Sequence, residues 1–234
     1  MNCSGCHQPP DEAGTPGAWT DHPGLAGCTG CHDVEANAFQ QGKHGMRLEA
    51  GLSPMTPAQA RLPMHKAAAH QQLTCTTCHG AHRFDVQHAA ASACLDCHAD
   101  DHTRAWQASP HARLWQAELT GQADAGSGVS CATCHMPREE QDVSDWMSRI
   151  VVEHNQSAYF APNSKMIRPA CLHCHGLGFA LDALADRDLI TRNFDGKPGV
   201  HVESMDLSRA GHERYLKEIA DREAEKAKEQ AKEK

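Results

Sequence analysis

Three features of the sequence predict a mainly α fold with extensive loops, a core that side chains alone do not fill, and an exposed C-terminal helix. The 234 residues include only eleven aromatics, four Trp, two Tyr and five Phe, and large buried rings supply much of an ordinary core. The twelve cysteines fall without remainder into six Cys-x-x-Cys pairs, each followed at once by His. Short helical patterns alternate with Gly- and Pro-rich stretches, and the chain closes on a run of Ala, Glu, Lys and Gln. The length suits one or two domains. No apolar run reaches the roughly 18 residues of a membrane-spanning helix. With 22 Lys+Arg against 30 Asp+Glu, the formal charge is −8, which excludes nucleic acid as an expected partner.

The cysteine pairs define the chemistry. They are Cys3/Cys6 with His7, Cys28/Cys31 with His32, Cys75/Cys78 with His79, Cys94/Cys97 with His98, Cys131/Cys134 with His135, and Cys171/Cys174 with His175. Cys-x-x-Cys-His is the c-type haem attachment pattern. Two thiols add to the two vinyl groups of one porphyrin, and the adjacent imidazole reaches the iron from the same side. Zinc ribbons use Cys-x-x-Cys pairs, but nothing there requires His after every second Cys. A thioredoxin-like site needs one such pair in a βαβ unit, and a disulfide framework does not predict uniform spacing. The expectation is six covalently bound haem c groups forming the core of a compact multihaem cytochrome, which accounts for the scarcity of aromatics.

The elements follow in order. The motifs start at 3, 28, 75, 94, 131 and 171, too unevenly for a tandem array. Residues 1–33 read as Gly- and Pro-rich loops around two haems, within an N-terminal dihaem segment, 1–72. A helix is predicted over 57–73, interrupted at Pro63. Residues 73–204 form a tetrahaem segment. In it, 99–120 read as a helix bent near Ser109-Pro110, 121–128 as a flexible turn, and 176–193 as a short amphipathic helix with Phe179, Leu181, Leu184, Leu189 and Ile190 on its apolar side. A charged helix fills 205–234, with Ser208 as its N-cap and Glu213/Lys217 and Glu218/Arg222 as supporting pairs. Too few apolar positions follow Ala220 for a strong coiled-coil seam.

Histidine is in surplus. Six of the eighteen are proximal ligands, and twelve remain for the opposite faces, so mostly bis-histidine haems are expected. The distal candidates are His44, His70, His82, His102, His111, His154 and His201. His82 is too close to Cys78 and His79 to serve their haem and reaches a neighbouring one. His22, His65, His88 and His212 are reserves. His173, inside its own motif loop, points elsewhere.

Several local patterns sit between Cys75 and Leu181: Cys-Thr-Thr-Cys-His-Gly-Ala-His at 75–82, Cys97-His98-Ala-Asp-Asp101-His102, Ser109-Pro110-His111, Gly128 to Pro137 around the fifth motif, His154-Asn155, and Arg168-Pro-Ala-Cys171. This stretch, roughly half of the chain, resembles the hydroxylamine oxidoreductase family of multihaem cytochromes. The resemblance implies one active-site haem with an open face, here on Cys75 and Cys78, with Asp101, His102 and Tyr159 as catalytic residues. Oxidising members cross-link a tyrosine to that haem, and only Tyr159 and Tyr215 exist here. The family carries eight haems on a longer chain, against six motifs in this sequence.

Three functional readings follow. The first is an electron carrier that passes electrons between closely spaced haems. The second is a redox enzyme acting on hydroxylamine, hydrazine or nitrite, with Asp101 and His102 moving protons. The third is a subunit of an extracellular haem filament. Redox proteins are the expected partners, with self-association into an oligomer or filament as a further expectation. Haem is attached to such motifs outside the bacterial cytoplasm. The expected location is therefore periplasmic or extracellular, after removal of a signal peptide that this numbering lacks.

Overall fold

The structure, a computed structural model, describes residues 3–9, 11, 13–83 and 85–232. Short helices dominate: α1 (Cys3–His7), α2 (Ala26–Thr29), α3 (Asp33–Gln41), α4 (Met46–Glu49), α5 (Cys75–Cys78), α6 (Ala93–Leu95), α7 (Asp101–Trp106), α8 (Pro110–Leu119), α9 (Cys131–His135), α10 (Leu177–Ala185), α11 (Arg187–Thr191) and α12 (Ser204–Lys232). One antiparallel hairpin, β1 (Arg138–Ser144) with β2 (Met147–Val152), joins them. Among the described residues no helix is long and apolar enough to cross a membrane.

Side chains form two small clusters rather than one core. Ala91, Trp106, Ala112 and Trp115 make the first, with Leu95 and Cys131 against it. Met166, Ile167, Ala180 and Leu184 make the second, with Cys134, Tyr159, Cys171 and Phe194 against it. Both clusters thus touch motif cysteines. The accessible surface is 16065 Å², whereas a compact monomer of this mass exposes about 10,000 Å². The polypeptide does not close on itself as a globular chain does. The long projecting α12 accounts for part of the difference.

The bend predicted at Ser109-Pro110 is the α7/α8 boundary. Ser109 caps α8 by accepting the Ala112 N–H at 3.1 Å, and Pro110 takes the first helical position. The turn over 121–128 is pinned by Glu118, whose carboxylate accepts the N–H groups of Gly126 and Gly128.

Four expectations need correction. No helix runs through 57–73. Two single 3₁₀ turns, Pro57–Gln59 and Lys66–Ala68, flank an extended stretch that hydrogen-bonds the fourth motif, His65 N–H to the Cys97 carbonyl and Ala99 N–H to the Pro63 carbonyl. Pro63 lacks the N–H a helix needs, so this external pairing prevails. The helix over 176–193 breaks at Asp186, which caps α11 through the Leu189 N–H. Leu184 and Leu189 are buried there but Phe179 is exposed. The terminal helix starts at Ser204, so Ser208 lies within it. Glu218 and Arg222 do pair, at 3.9 Å. Finally, the hairpin at 138–152 is an added β element. Its first strand begins Arg-Glu-Glu-Gln-Asp, without apolar alternation. Its base is anchored by buried Pro137 and Val151, while Trp146 at the tip is 83% exposed.

Candidate functional site

The first and fifth Cys-x-x-Cys-His units lie wholly on α1 and α9 and both cysteines of the third lie on α5, whereas α2 and α6 end one residue after Cys28 and Cys94 and the second and fourth units continue as turns. Positions i, i+3 and i+4 share a helix face, so both thiols and the imidazole project to one side. The His N–H bonds to the first Cys carbonyl in the second, third, fourth and sixth motifs, at 2.9–3.0 Å. Capping fixes where the turns begin. Thr74 and Thr77 close a reciprocal box before Cys75, and Ser130 and Thr133 do so before Cys131.

The sixth motif departs from the others. Its turn is 3₁₀, Cys171–His173, so Cys174 falls just beyond it as the C-cap and donates its N–H to the Cys171 carbonyl at 3.2 Å. Residues i and i+3 eclipse in a 3₁₀ turn, which keeps Cys171 and Cys174 on one side. Cys174 is nevertheless exposed, as are Cys3 and Cys31, whereas Cys97 is buried and the other eight cysteines are half-buried. At these three positions the polypeptide covers only one thiol of the pair.

Opposite these turns the chain brings a second set of histidines. His7 faces His82 with ring centres 6.0 Å apart, His98 faces His44 at 6.2 Å, and His79 faces His154 at 6.2 Å. His135 faces His102 at 6.2 Å and His175 faces His111 at 6.3 Å. Each pair joins one motif histidine to one outside the motifs. Two metal–imidazole bonds of about 2 Å, plus roughly 1 Å from each nitrogen to its ring centre, span about 6 Å. The pairs therefore have the separation of two axial imidazoles across one metal ion.

Ring orientation agrees. His7 Nδ1 donates to the Thr20 carbonyl at 2.6 Å, His102 Nδ1 to the Ile190 carbonyl at 2.5 Å, and His154 Nδ1 to the Val152 carbonyl at 2.8 Å. A metal-bound imidazole usually donates its second N–H in this way; Nε2 is left for a metal at His7 and His154, whereas His102 Nε2 also accepts from the Asn193 amide at 3.2 Å. The hairpin base supplies the Val152 carbonyl, so this element orients a site residue. Burial, reinforced by the facing histidine, pushes the pKa values of His44 and His135 down to about 4. Burial also lowers those of His79, His98 and His111. Neutral imidazole is the ligating form. Burial pushes the thiols of Cys75 and Cys78 up to about 11 and that of Cys134 up to about 12, whereas the Cys94 thiol beside it lowers that of Cys131.

Adjacent motifs touch in sequence order. The Cys6 carbonyl lies beside Gly27 at the start of α2. Cys28 lies beside Cys75, and Cys94 beside Cys131. Cys78 is within electrostatic reach of Cys94 and Cys97, as Cys134 is of Cys171.

The remaining candidates lie elsewhere. His70 faces no motif histidine among the described residues. His201 has both ring nitrogens occupied, by Asp182 at 3.1 Å and Asp206 at 2.8 Å. His173 donates Nε2–H to the Pro169 carbonyl. Asp101 is exposed and pairs with Arg104, and Tyr159 packs on the second cluster. Asp101, His102 and Tyr159 thus make their contacts away from His79. Among the described residues no three His, Cys, Asp or Glu side chains converge as an all-protein metal cage.

Other contacts carry no sequence signal. Trp19 stacks on His7 at 4.7 Å, Phe160 lies edge-on to His135 at 4.7 Å, and Phe179 stacks on His175 at 4.9 Å. Asn193 and Phe194 are left-handed, φ 51° and 60°. That conformation is rare for a bulky residue such as Phe. It brings Asn193 to His102 and Phe194 to within 6.0 Å of His111.

Residues 27–91 match the family model of cytochrome c554 and c-prime, a multihaem cytochrome family. The match supports a c-type cytochrome electron carrier with covalently bound haem c. It contains the second and third motifs and stops before Asp101, His102 and Tyr159, so it does not extend to hydroxylamine oxidoreductase specificity. No curated protein and no solved structure matches the chain. The residues fit haem c: paired thiols on one side of a helical turn, an adjacent imidazole, and in five of six cases a second imidazole at two-bond distance.

Proposed function

We propose that this chain is a hexahaem electron-transfer cytochrome, with haem c on all six cysteine pairs and mostly bis-histidine ligation. The carrying observation is the set of five pairs, His7/His82, His98/His44, His79/His154, His135/His102 and His175/His111, each at 6.0–6.3 Å. When bound, haem supplies one-electron exchange at its iron. The chain does the rest. The cysteine pairs, from Cys3/Cys6 to Cys171/Cys174, fix each ring edge to a helical turn. The histidine pairs would hold the iron from both sides and so would keep water and substrate off it. The Thr20, Ile190 and Val152 carbonyls hold imidazole orientation. The contacts from Cys6 through Cys28/Cys75, Cys78/Cys94 and Cys94/Cys131 to Cys134/Cys171 support a single path in sequence order.

The position of His154 opposite His79 weighs against an open face on the Cys75/Cys78 haem, and His102 opposite His135 weighs toward ligation rather than proton transfer. We assign the protein to the periplasm or cell exterior, where haem c is attached, with soluble redox proteins as partners. The test is a pyridine haemochrome count joined to EPR of the oxidised protein. Six haems per chain with at least five low-spin signals are expected. A count well below six, or several high-spin haems, would overturn the reading.

A further inference from the structure

The hairpin of β1 and β2 contains no haem motif, yet both of its ends rise from proposed ligand positions. Arg138 follows His135 by three residues, and Val152 precedes His154 by two. The base is closed by the Glu153 N–H on the Pro137 carbonyl at 3.0 Å and by buried Pro137 and Val151. Strands of seven and six residues carry the tip about 20 Å beyond that base. A two-stranded ribbon is marginal on its own in water, and among the described residues these strands pack chiefly on each other.

Register decides what the ribbon shows. Glu140 pairs with Ile150 and Asp142 with Ser148, so these four share one face, opposite the face that buries Val151. Ile150 is 64% exposed there. Trp146 and Met147 are exposed at the tip, and Trp146 is the most exposed large hydrophobic among the described residues. Residues 138–153 carry five acids, Glu139, Glu140, Asp142, Asp145 and Glu153, against Arg138 and Arg149. Among the described residues none of these seven side chains is in an ion pair. Burial and then the neighbouring Glu153 raise the Glu139 pKa, which agrees with negative charge that no cation offsets. An exposed Trp beside apolar groups, rimmed by charge, has the make-up of a protein-interface anchor. The uncompensated acids select what it meets. A second copy of this chain, at formal charge −8, and an anionic lipid surface would both be repelled, whereas a basic protein would be attracted.

We propose that the 138–152 hairpin is the docking arm for a basic redox protein, with Trp146 seated in an apolar recess of that partner and Glu140 and Asp142 facing its Lys or Arg side chains. This rests on the electron-transfer reading above and gives it a place of exchange. A partner held along the arm lies beside the His79/His154 and His135/His102 positions at its base, in the middle of the path rather than at either end.

The test uses the full holoprotein, after a haemochrome count has established six haems. It compares the wild type with Trp146→Ser and with the double variant Glu140→Lys, Asp142→Lys. All three side chains are exposed, so haem count and EPR spectrum are expected to stay the same. The reduced protein is mixed by stopped flow with a lysine-rich monohaem cytochrome c, whose ferric iron takes one electron from a ferrous haem of this chain. A parallel run uses a small neutral quinone, which takes two electrons and two solvent protons to become the quinol. Trp146→Ser is expected to slow the cytochrome reaction about tenfold or more, the scale of a lost interface anchor, with the quinone rate unchanged. The double variant is expected to slow it at low salt and to flatten its dependence on ionic strength. Variants that match the wild type with the cytochrome would overturn the proposal while leaving the electron-transfer reading standing. So would a wild type that reacts with the quinone but not with the cytochrome. A dimer that Trp146→Ser abolishes, or binding to phosphatidylcholine–phosphatidylglycerol vesicles that it abolishes, would also overturn it, assigning the arm to a second copy or to a membrane. Fewer than six haems, or no oxidation by the quinone, would overturn the underlying function itself.

Discussion

Ser109 ties helix chemistry to the site most directly. Its side chain is fully buried at 0% exposure, and its Oγ accepts the Ala112 N–H at 3.1 Å to start α8. His111 follows two residues later and faces His175 at 6.3 Å. Ser109→Ala removes the cap, which costs about 1 kcal/mol in most helices. Ala112 is itself only 3% exposed, so water does not replace the lost acceptor, and the orphaned N–H raises the cost to about 2 kcal/mol. For a chain of this size that lowers Tm by about 4–8 °C. The assay is a far-ultraviolet circular dichroism melt of wild type and variant holoprotein at one pH. The low-spin EPR signal of one haem in six is expected to broaden in parallel, because the first turn that carries His111 is loosened. A Tm change below about 1 °C would refute the reasoning, since it would mean the cap is not made or is replaced without cost.

Other outcomes follow from the same geometry. His154→Ala is expected to convert the Cys75/Cys78 haem to high spin while the haemochrome count stays at six; an unchanged EPR spectrum would remove His154 from the ligand set. Gly45→Ala would drive a Cβ into the backbone carbonyl of Phe39 beside His44, with an expected destabilisation of about 1–3 kcal/mol, measured by denaturant unfolding. The link between α10 and the start of α12 is expected to be pH-sensitive on both sides. Asp206 and Asp182 raise the His201 pKa above 6.5, so its contribution is complete below that value and is lost as pH rises through the raised one. The Val202 N–H and then His201 lower the Asp182 pKa below 3.8, so its contribution is complete above that value and is lost as pH falls through the lowered one. Amide protection over 197–206, relative to the intrinsic exchange rate, should therefore be highest between those limits, and a flat profile would exclude this link. Residues 1–42 hold five Asp and Glu and no Lys or Arg, so electron exchange with a basic redox protein should slow as ionic strength rises, checked by stopped-flow.

The six Cys-x-x-Cys-His turns were legible because the pattern is local and closes within five residues; their part as haem anchors belongs to the function proposed above. How far each anchor is covered was not: Cys174 and Cys97 stand at the same place in identical motifs, yet one is exposed and the other buried, because only the second is paired with the extended stretch at Pro63 and His65. The Ser109-Pro110-His111 element was legible because a cap, a proline at the first helical position and a ligand at the second are all local. Distal pairing was legible only as a surplus of histidines. His82 is 75 residues from His7, and His44 is 54 from His98, and no short-range rule sets such distances. His201 illustrates the gap. It carries the right side chain, but the two carboxylates around it turn it to another use. The helix expected at 57–73 failed where tertiary pairing with Cys97 and Ala99 overrode local propensity. The hairpin was missed because its first strand is charged, and pairing with Ile150, Val151 and Val152 decides it.

The residues that bury themselves say why so much function fits in so little polypeptide. Among the described residues, eight of the sixteen buried hydrophobics are alanine. Alanine contributes little area to a core but lets backbone approach closely. It recurs beside the motif turns, at Ala91, Ala93 and Ala99 around the fourth motif and at Ala180 and Ala183 on α10, next to the sixth. Bulky side chains lie instead on the imidazoles, as Trp19 on His7, Phe160 on His135 and Phe179 on His175. Few large groups lie inside the fold, and it exposes about half again the usual surface for its mass, which agrees with the haem core proposed above. Left-handed Asn193 and Phe194 fit this logic. Strain in the backbone is retained where it places side chains against two of the proposed ligand histidines, His102 and His111, at once.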